Sequence, residues 1–291
     1  MPTVDCHIHV TEIPEHAPEW WVTEMYAPWG GAAESVDGQA AVAGLDAAGI
    51  DIGVIQGGDI RRTTYHPDYP DDHRILIPND WVAEQVGLSE GRLYGMAAMD
   101  PLRDVAAALL ELERCVKELD FRALKMVPTY HHYSPKDRRL DPIYEKCLEL
   151  DIPVMIHMGW TATINSAMEF QNPVQLDDVG RRYRDLKVIV AHLGYPWVGE
   201  GIAVVAKHPN FYAEMAGWVA WGPEVLAQAF LKLKELRAID RVVYGSDNVD
   251  ATDLYRDAQE LAGQNGGPGI TDEEMDAIMG GTATQLFRIP S

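Results

Sequence analysis

The sequence predicts an α/β fold, a single-domain (β/α)8 TIM barrel over residues 1–291 with one extra C-terminal helix. Three observations carry that expectation. Short apolar runs alternate with helical patterns, which argues for a parallel sheet with helical crossovers. The alternation occurs eight times over about 260 residues, the count and length of a closed barrel. Histidines and an aspartate recur at the ends of the apolar runs, where such barrels keep their chemistry.

The first predicted strand is Thr3 to Val10, whose period of two places Asp5, His7 and His9 on one face. The next segment holds Pro14, Pro18, Trp20, Trp21, Pro28, Trp29 and a Gly30-Gly31 pair, and is expected to be irregular rather than helical. Val36 to Ala48 has helical apolar spacing at Val36, Ala40, Ala43 and Ala47 and stops at Gly49, a C-cap residue. Ile50 to Gln56 is the second strand, followed by a polar loop from Asp59 to Ile77 and a helix over Asp80 to Leu88. Leu93 to Met99 is the third strand, and Pro101 to Leu119 a long amphipathic helix with proline in its first turn. Ala123 to Val127 is the fourth strand, with a His- and Pro-containing loop leading to a helix over Pro142 to Leu150.

The later units are strand Pro153 to Met158 with a helix near Val174 to Tyr183, and strand Lys187 to His192 with helix Val198 to Lys207. Strand Asn210 to Met215 pairs with helix Pro223 to Leu236, and strand Arg241 to Gly245 with helix Thr252 to Leu261. Thr271 to Phe287 is the extra helix. No G-x-G-x-x-G turn follows the first strand, which argues against an open doubly wound sheet.

Charge narrows the partners. Lys+Arg number 24 against 45 Asp+Glu, a formal net charge of −21, which repels phosphate backbones and anionic membrane surfaces. Nucleic acid and membranes are excluded, and a small-molecule substrate is expected. Cys6, Cys115 and Cys147 are odd in number and far apart, so they form neither a disulfide framework nor a thiolate zinc site. With no secretory pattern and no run of about 18 apolar residues, a cytoplasmic protein is expected.

Strand ends then filter the ten histidines. His7 and His9 end the first strand, His157 the fifth and His192 the sixth, while Asp247 follows the eighth. Neutral imidazoles and carboxylates bind zinc and related ions, and a site needs three or four converging from different segments. His16, His66, His73 and His208 read as surface residues. His131 and His132 follow the fourth strand and read either as substrate contacts or as solvated side chains.

The combination of Asp5-Cys6-His7-Ile8-His9, Ile156-His157, Ala191-His192-Leu193-Gly194 and Tyr244-Gly245-Ser246-Asp247 resembles the amidohydrolase superfamily. The resemblance is to its amidohydrolase-related branch, which includes 2-amino-3-carboxymuconate-6-semialdehyde decarboxylase-like barrels. The tail Gly280-Gly281-Thr282-Ala283-Thr284-Gln285-Leu286-Phe287 resembles that branch's ending, with Thr282 where Asn is common. The resemblance implies that His7, His9, His157 and Asp247 bind one divalent ion, Zn2+ first and Mn2+ as the alternative, with His192 beside the metal-bound water. Lys125 lies where binuclear members carry a bridging carboxylated lysine. The branch often has lysine there with one ion, strand alternation could turn it toward the helices, and one ion is expected. Asn248 stands where the branch frequently has an aromatic residue.

Such an ion lowers the pKa of bound water to about 7. Asp247 would move the proton and His192 orient the water or stabilise an oxyanion. The expected reaction is hydrolysis of a C–O or C–N bond in a small cyclic or aromatic compound. The alternative is non-oxidative decarboxylation of an aromatic or muconate-type acid, and the third reading a non-catalytic metal-binding barrel. Seven of the eight tryptophans (Trp20, Trp21, Trp29, Trp160, Trp197, Trp218, Trp221) follow strands one, five, six and seven. They imply either an aromatic pocket, with Trp160 and Trp197 as substrate contacts, or a capped mouth or subunit interface; a homodimer is expected. Arg61, Arg62 and Arg74 after strand two and Lys136, Arg138 and Arg139 after strand four are candidates to grip a carboxylate. Arg61 and His131 complete the expected substrate-binding set.

Overall fold

The computed structural model describes residues 1–26, 34–60, 75–163, 166–264 and 268–290. Its strands are β1 (Val4–His9), β2 (Ile52–Gln56), β3 (Gly58–Ile60), β4 (Ile75–Ile77), β5 (Leu93–Ala98) and β6 (Ala123–Met126), then β7 (Val154–His157), β8 (Val188–Ala191), β9 (Phe211–Glu214) and β10 (Val242–Val243). Eight of them form one sheet in the order β1-β2-β5-β6-β7-β8-β9-β10, and each neighbouring pair is parallel. The seam closes through backbone bonds. Cys6 N–H donates to the Tyr244 carbonyl at 3.0 Å, and Asp247 N–H to the His7 carbonyl at 2.9 Å. The predicted strands and barrel are thus observed, with ends shifted by one or two residues.

Continuous apolar runs make this possible, because a parallel strand is covered on both faces. Every residue of β6, β7 and β8 is buried. Inside the ring, Val4, Cys6, Val54, Met96, Ala123, Met155, Ile189 and Val243 pack with Ala283, Leu286, Phe287 and Ile289. The extra C-terminal helix therefore packs against the interior residues of the barrel. It runs through Asp272–Asp276, Ala277–Gly281 and Thr282–Leu286, the middle piece being a π turn, and starts at a Thr271/Glu274 capping box. The larger core lies between strands and outer helices. Gly49 adopts a left-handed φ of 68° at the helix end where the sequence placed a cap.

Three expectations fail. The helix expected over Pro101 to Leu119, with proline in its first turn, spans Val105–Lys117 and starts where the Asp104 side chain accepts the Ala107 N–H, so Pro101 lies in the turn before it. Within the stretch predicted to be irregular, Glu19–Tyr26 is a helix. The prolines do not obstruct it because they flank it: Pro18 immediately precedes the helix, and its carbonyl accepts the N–H groups of Trp21 and Val22. The predicted polar loop from Asp59 to Ile77 contains an antiparallel hairpin that pairs Gly58 with Ile77 and Ile60 with Ile75. Its strands are three residues each, too short to carry a visible period. No helix among the described residues is long and apolar enough to cross a membrane.

Two glycines test the packing. A Cβ on Gly95 of β5 would overlap the Phe121 ring, whereas one on the exposed Gly44 meets nothing. Gly95→Ala is expected to cost about 1–3 kcal/mol in urea unfolding. Gly44→Ala, inside the helix Gly38–Ala48, should add about 0.5–1 kcal/mol. Equal effects would contradict the packing described.

Candidate metal centre

β1 carries its histidines into a crowded mouth. A register shift between Asp5 and Ile8 marks a bulge, a device that re-aims side chains near functional sites. The Asp5 carboxylate accepts the N–H groups of His7 at 3.1 Å and Ser246 at 3.0 Å, binding the start of the chain to the loop after β10. Burial pushes the Asp5 pKa up to about 7 against these bonds.

His7 is fully buried. Its Nδ1 lies 3.2 Å from Glu214 Oε2, and its Nε2 lies 2.8 Å from Lys125 Nζ and 3.7 Å from Asp247 Oδ1. His9 Nε2 is 3.1 Å from the same Asp247 oxygen and 3.1 Å from Gln56 Nε2. His192 follows β8. It donates Nδ1–H to the Ala216 carbonyl at 2.9 Å, and its Nε2 lies 3.2 Å from His157 Nδ1. Trp218 is almost fully buried, and its indole N–H donates to the His192 carbonyl.

All five residues expected at the site therefore share one cluster. The donors of His7, His192 and Asp247 approach within 4.8 Å of one another, the group among the described residues able to hold a metal ion. His9 lies one contact away beside Asp247, and His157 one beyond His192. Both His192 and Asp247 take left-handed backbone at φ 57° and 54°. Such conformations cost of order 1–3 kcal/mol each and cluster at functional sites. Asn248, also left-handed, clasps the His9 backbone, accepting its N–H at 2.6 Å and donating to its carbonyl at 2.8 Å. That clasp is what an aromatic residue at this position would lack.

The electrostatics suit a cation. Burial, with Lys125 next in weight, holds the His7 pKa well below its ordinary value; burial and then His192 do the same for His157. Both rings are neutral at neutral pH, the form that binds metals. For Asp247 burial works upward, but His7 and His9 outweigh it and hold the carboxyl well below the usual range. Lys125 points inward, not toward the helices, and burial lowers its pKa to about 8 against the pull of Asp247 and Glu214. Among these polar atoms, His157 Nε2 is buried without a hydrogen-bond partner.

The expected substrate contacts are more dispersed. Trp160 is 41 % exposed and Trp197 half-buried at the start of the helix Val198–Lys207. Trp221 stacks on Tyr195 with ring centroids 4.1 Å apart, and Trp21 meets Tyr130 edge-on at 5.2 Å. His131 is buried; its Nε2–H donates to the Asp59 carbonyl at 2.7 Å, linking the segment after β6 to β3. Arg61, Arg62, Arg74, Trp29, His66 and His73 lie outside the described residues. His208, expected at the surface, is buried against Gly180 and pairs with Asp177 at 2.8 Å, because Gly180 leaves room for its ring.

Sequence reading passed over Glu214. It ends β9 as His157 ends β7, so the strand-end filter would have found it had glutamate been admitted beside histidine. A Cβ on Gly245 would sit 2.5 Å from Glu214 Oε1 and 2.9 Å from His7 Cβ. Gly245→Ala is expected to cost about 1–3 kcal/mol by overpacking, read as a lowered urea midpoint; an unchanged midpoint would show that the carboxylate is not confined as described.

Comparison with known proteins shows the family and the fold. The amidohydrolase family model matches residues 4–289. The chain is 25 % identical to the 2-keto-4-carboxy-3-hexenedioate hydratase of a Sphingobium species, over 99 % of this chain and 96 % of that protein. It is 36 % identical to the gamma-resorcylate decarboxylase of a Polaromonas species, over 72 % of this chain and 75 % of that one. Among solved structures, a probable 2-pyrone-4,6-dicarboxylic acid hydrolase from Acinetobacter baumannii superposes with a TM-score of 0.70 at 16 % identity, covering 99 % and 100 % of the two chains. The 5-carboxyvanillate decarboxylase of Novosphingobium aromaticivorans, complexed with manganese, gives 0.70 at 18 % identity over 99 % and 96 %. These structures share the barrel. The chain belongs to the amidohydrolase family.

Proposed function

We propose that this barrel is a one-metal enzyme that brings water onto a small, carboxylate-bearing cyclic or aromatic compound and hydrolyses a C–O or C–N bond. The observation that carries the reading is Asp247, whose carboxylate oxygen lies 3.1 Å from His9 Nε2 and 3.7 Å from His7 Nε2 at the mouth of the barrel. An ionised carboxylate accepts a proton from water; decarboxylation would require it to arrive protonated. The hydratase relative, matched over nearly its whole length, also has water as a reactant.

The donor set fits a divalent ion. Proximity alone selects His7, His192 and Asp247, but hydrogen bonding selects differently. With Nδ1–H given to Ala216, His192 Nε2 is an acceptor, and His157 Nδ1–H fills it. That leaves the His157 Nε2 lone pair without a partner, so His7, His9, His157 and Asp247 are the proposed ligands and His192 their neighbour. Zinc is the proposed ion, with manganese the alternative.

A divalent ion held there would polarise a substrate oxygen and lower the pKa of water toward neutrality. Asp247 takes the proton and returns it to the leaving group, while His192, fixed by Ala216, orients the attacking water. Lys125, whose ammonium faces the His7 Nε2 lone pair, would have to give up that contact for the nitrogen to bind a cation. Trp160 and Trp197 are the proposed aromatic contacts, Arg61 the carboxylate grip, and His131 contributes its remaining ring nitrogen, Nδ1. A homodimer is the proposed assembly, on the strength of exposed Met168 and Val174 after β7.

The second reading is decarboxylation, favoured by the 36 % identical relative. A panel of hydroxybenzoates, lactones and amides, followed for CO2 and for solvent oxygen-18 in the product, separates the two. Oxygen-18 incorporation without CO2 is expected; CO2 release without it would overturn the hydrolytic reading. Elemental analysis should find one ion per chain, lost in His157→Ala and kept in His192→Ala. The reverse pattern would replace the proposed ligand set by His7, His192 and Asp247.

A further inference from the structure

Glu214 is buried with no exposed surface at the end of β9 and reaches three donors. Its Oε2 accepts the His192 backbone N–H at 3.0 Å and faces His7 Nδ1 at 3.2 Å, and its Oε1 accepts the Ala216 backbone N–H. A peptide N–H can only donate, so two of them on one carboxylate favour the ionised form.

An ionised carboxylate can only accept, so the proton between it and His7 sits on Nδ1 and leaves Nε2 as a lone pair. The opposite side of the ring agrees: the Lys125 ammonium, a donor, meets Nε2 at 2.8 Å. The Ala216 residue that Glu214 holds by its N–H then takes the Nδ1–H of His192 with its carbonyl. Imidazoles from two strands thus present the same nitrogen, Nε2, on account of one carboxylate from a third.

We infer that Glu214 is a positioning residue that fixes the tautomer and ring orientation of His7 directly and of His192 through Ala216, so that His7 Nε2 faces Asp247 and His192 Nε2 faces His157. Only its consequence for metal affinity rests on the metal centre proposed above. Carboxylates that hold the far nitrogen of a metal-binding histidine typically change affinity about 10–100-fold when removed.

Nitrogen-15 spectra of ring-labelled apo-protein near pH 7.5 test the tautomer, with His7 assigned by its loss in His7→Gln. Wild type is expected to carry the His7 proton on Nδ1, and Glu214→Leu to lose part of that preference because no carboxylate then accepts it. A wild-type proton on Nε2, or a tautomer population unmoved in Glu214→Leu, overturns the inference, and the first outcome needs no variant to fold. Zn2+ titration against a chelator should show about 10–100-fold weaker binding in Glu214→Leu, with partial recovery in Glu214→Asp. A shifted tautomer with wild-type Zn2+ affinity upholds the positioning role and overturns the metal-centre reading instead.

Discussion

The seam between the last barrel strand and the first is the constraint on which the site depends. The bond from Asp247 N–H to the His7 carbonyl joins residues from opposite ends of the chain. It places a carboxylate on one edge against two imidazoles on the other. Asp5 and Asn248 repeat the join, each bonding backbone across the same seam. Without closure, His7 and His9 would be two side chains on a strand edge. With it they share one oxygen of Asp247.

The charges gathered there are stable only as a set. Glu214 and Lys125 are both buried, and either alone would carry a large desolvation cost. Their shared neighbour is His7, which donates to one and accepts from the other. A divalent ion fits this arrangement because the network already supplies an anionic side at Asp247 and a lone pair at His157 Nε2. Burial is the largest cause that lowers the pKa of both His7 and His157, with Lys125 next for His7 and His192 next for His157.

Much of this was legible in the sequence. Eight short apolar runs alternate with helical patterns and can be recognised without pairing information, and the position of Asp247 after Val242-Val243 marks it as a strand-end group. What escaped was of two kinds. The helix Glu19–Tyr26 and the hairpin of β3 and β4 are short, and their stability comes from tertiary neighbours that no local pattern records. Glu214 and Lys125 matter through what they touch, and which face of a four-residue strand a side chain takes depends on register. His208 was misread for the same reason: its ring is buried only because Gly180, 28 positions earlier, lacks a side chain.

The central claim is that imidazoles of β1 and β7 and the carboxylate of Asp247 form one metal centre. X-ray absorption at the zinc edge of the loaded protein tests it most directly. The account predicts a shell of nitrogen and oxygen at about 2.0–2.2 Å with the multiple scattering of three imidazoles. A shell without imidazole scattering, or one containing sulfur, would contradict it.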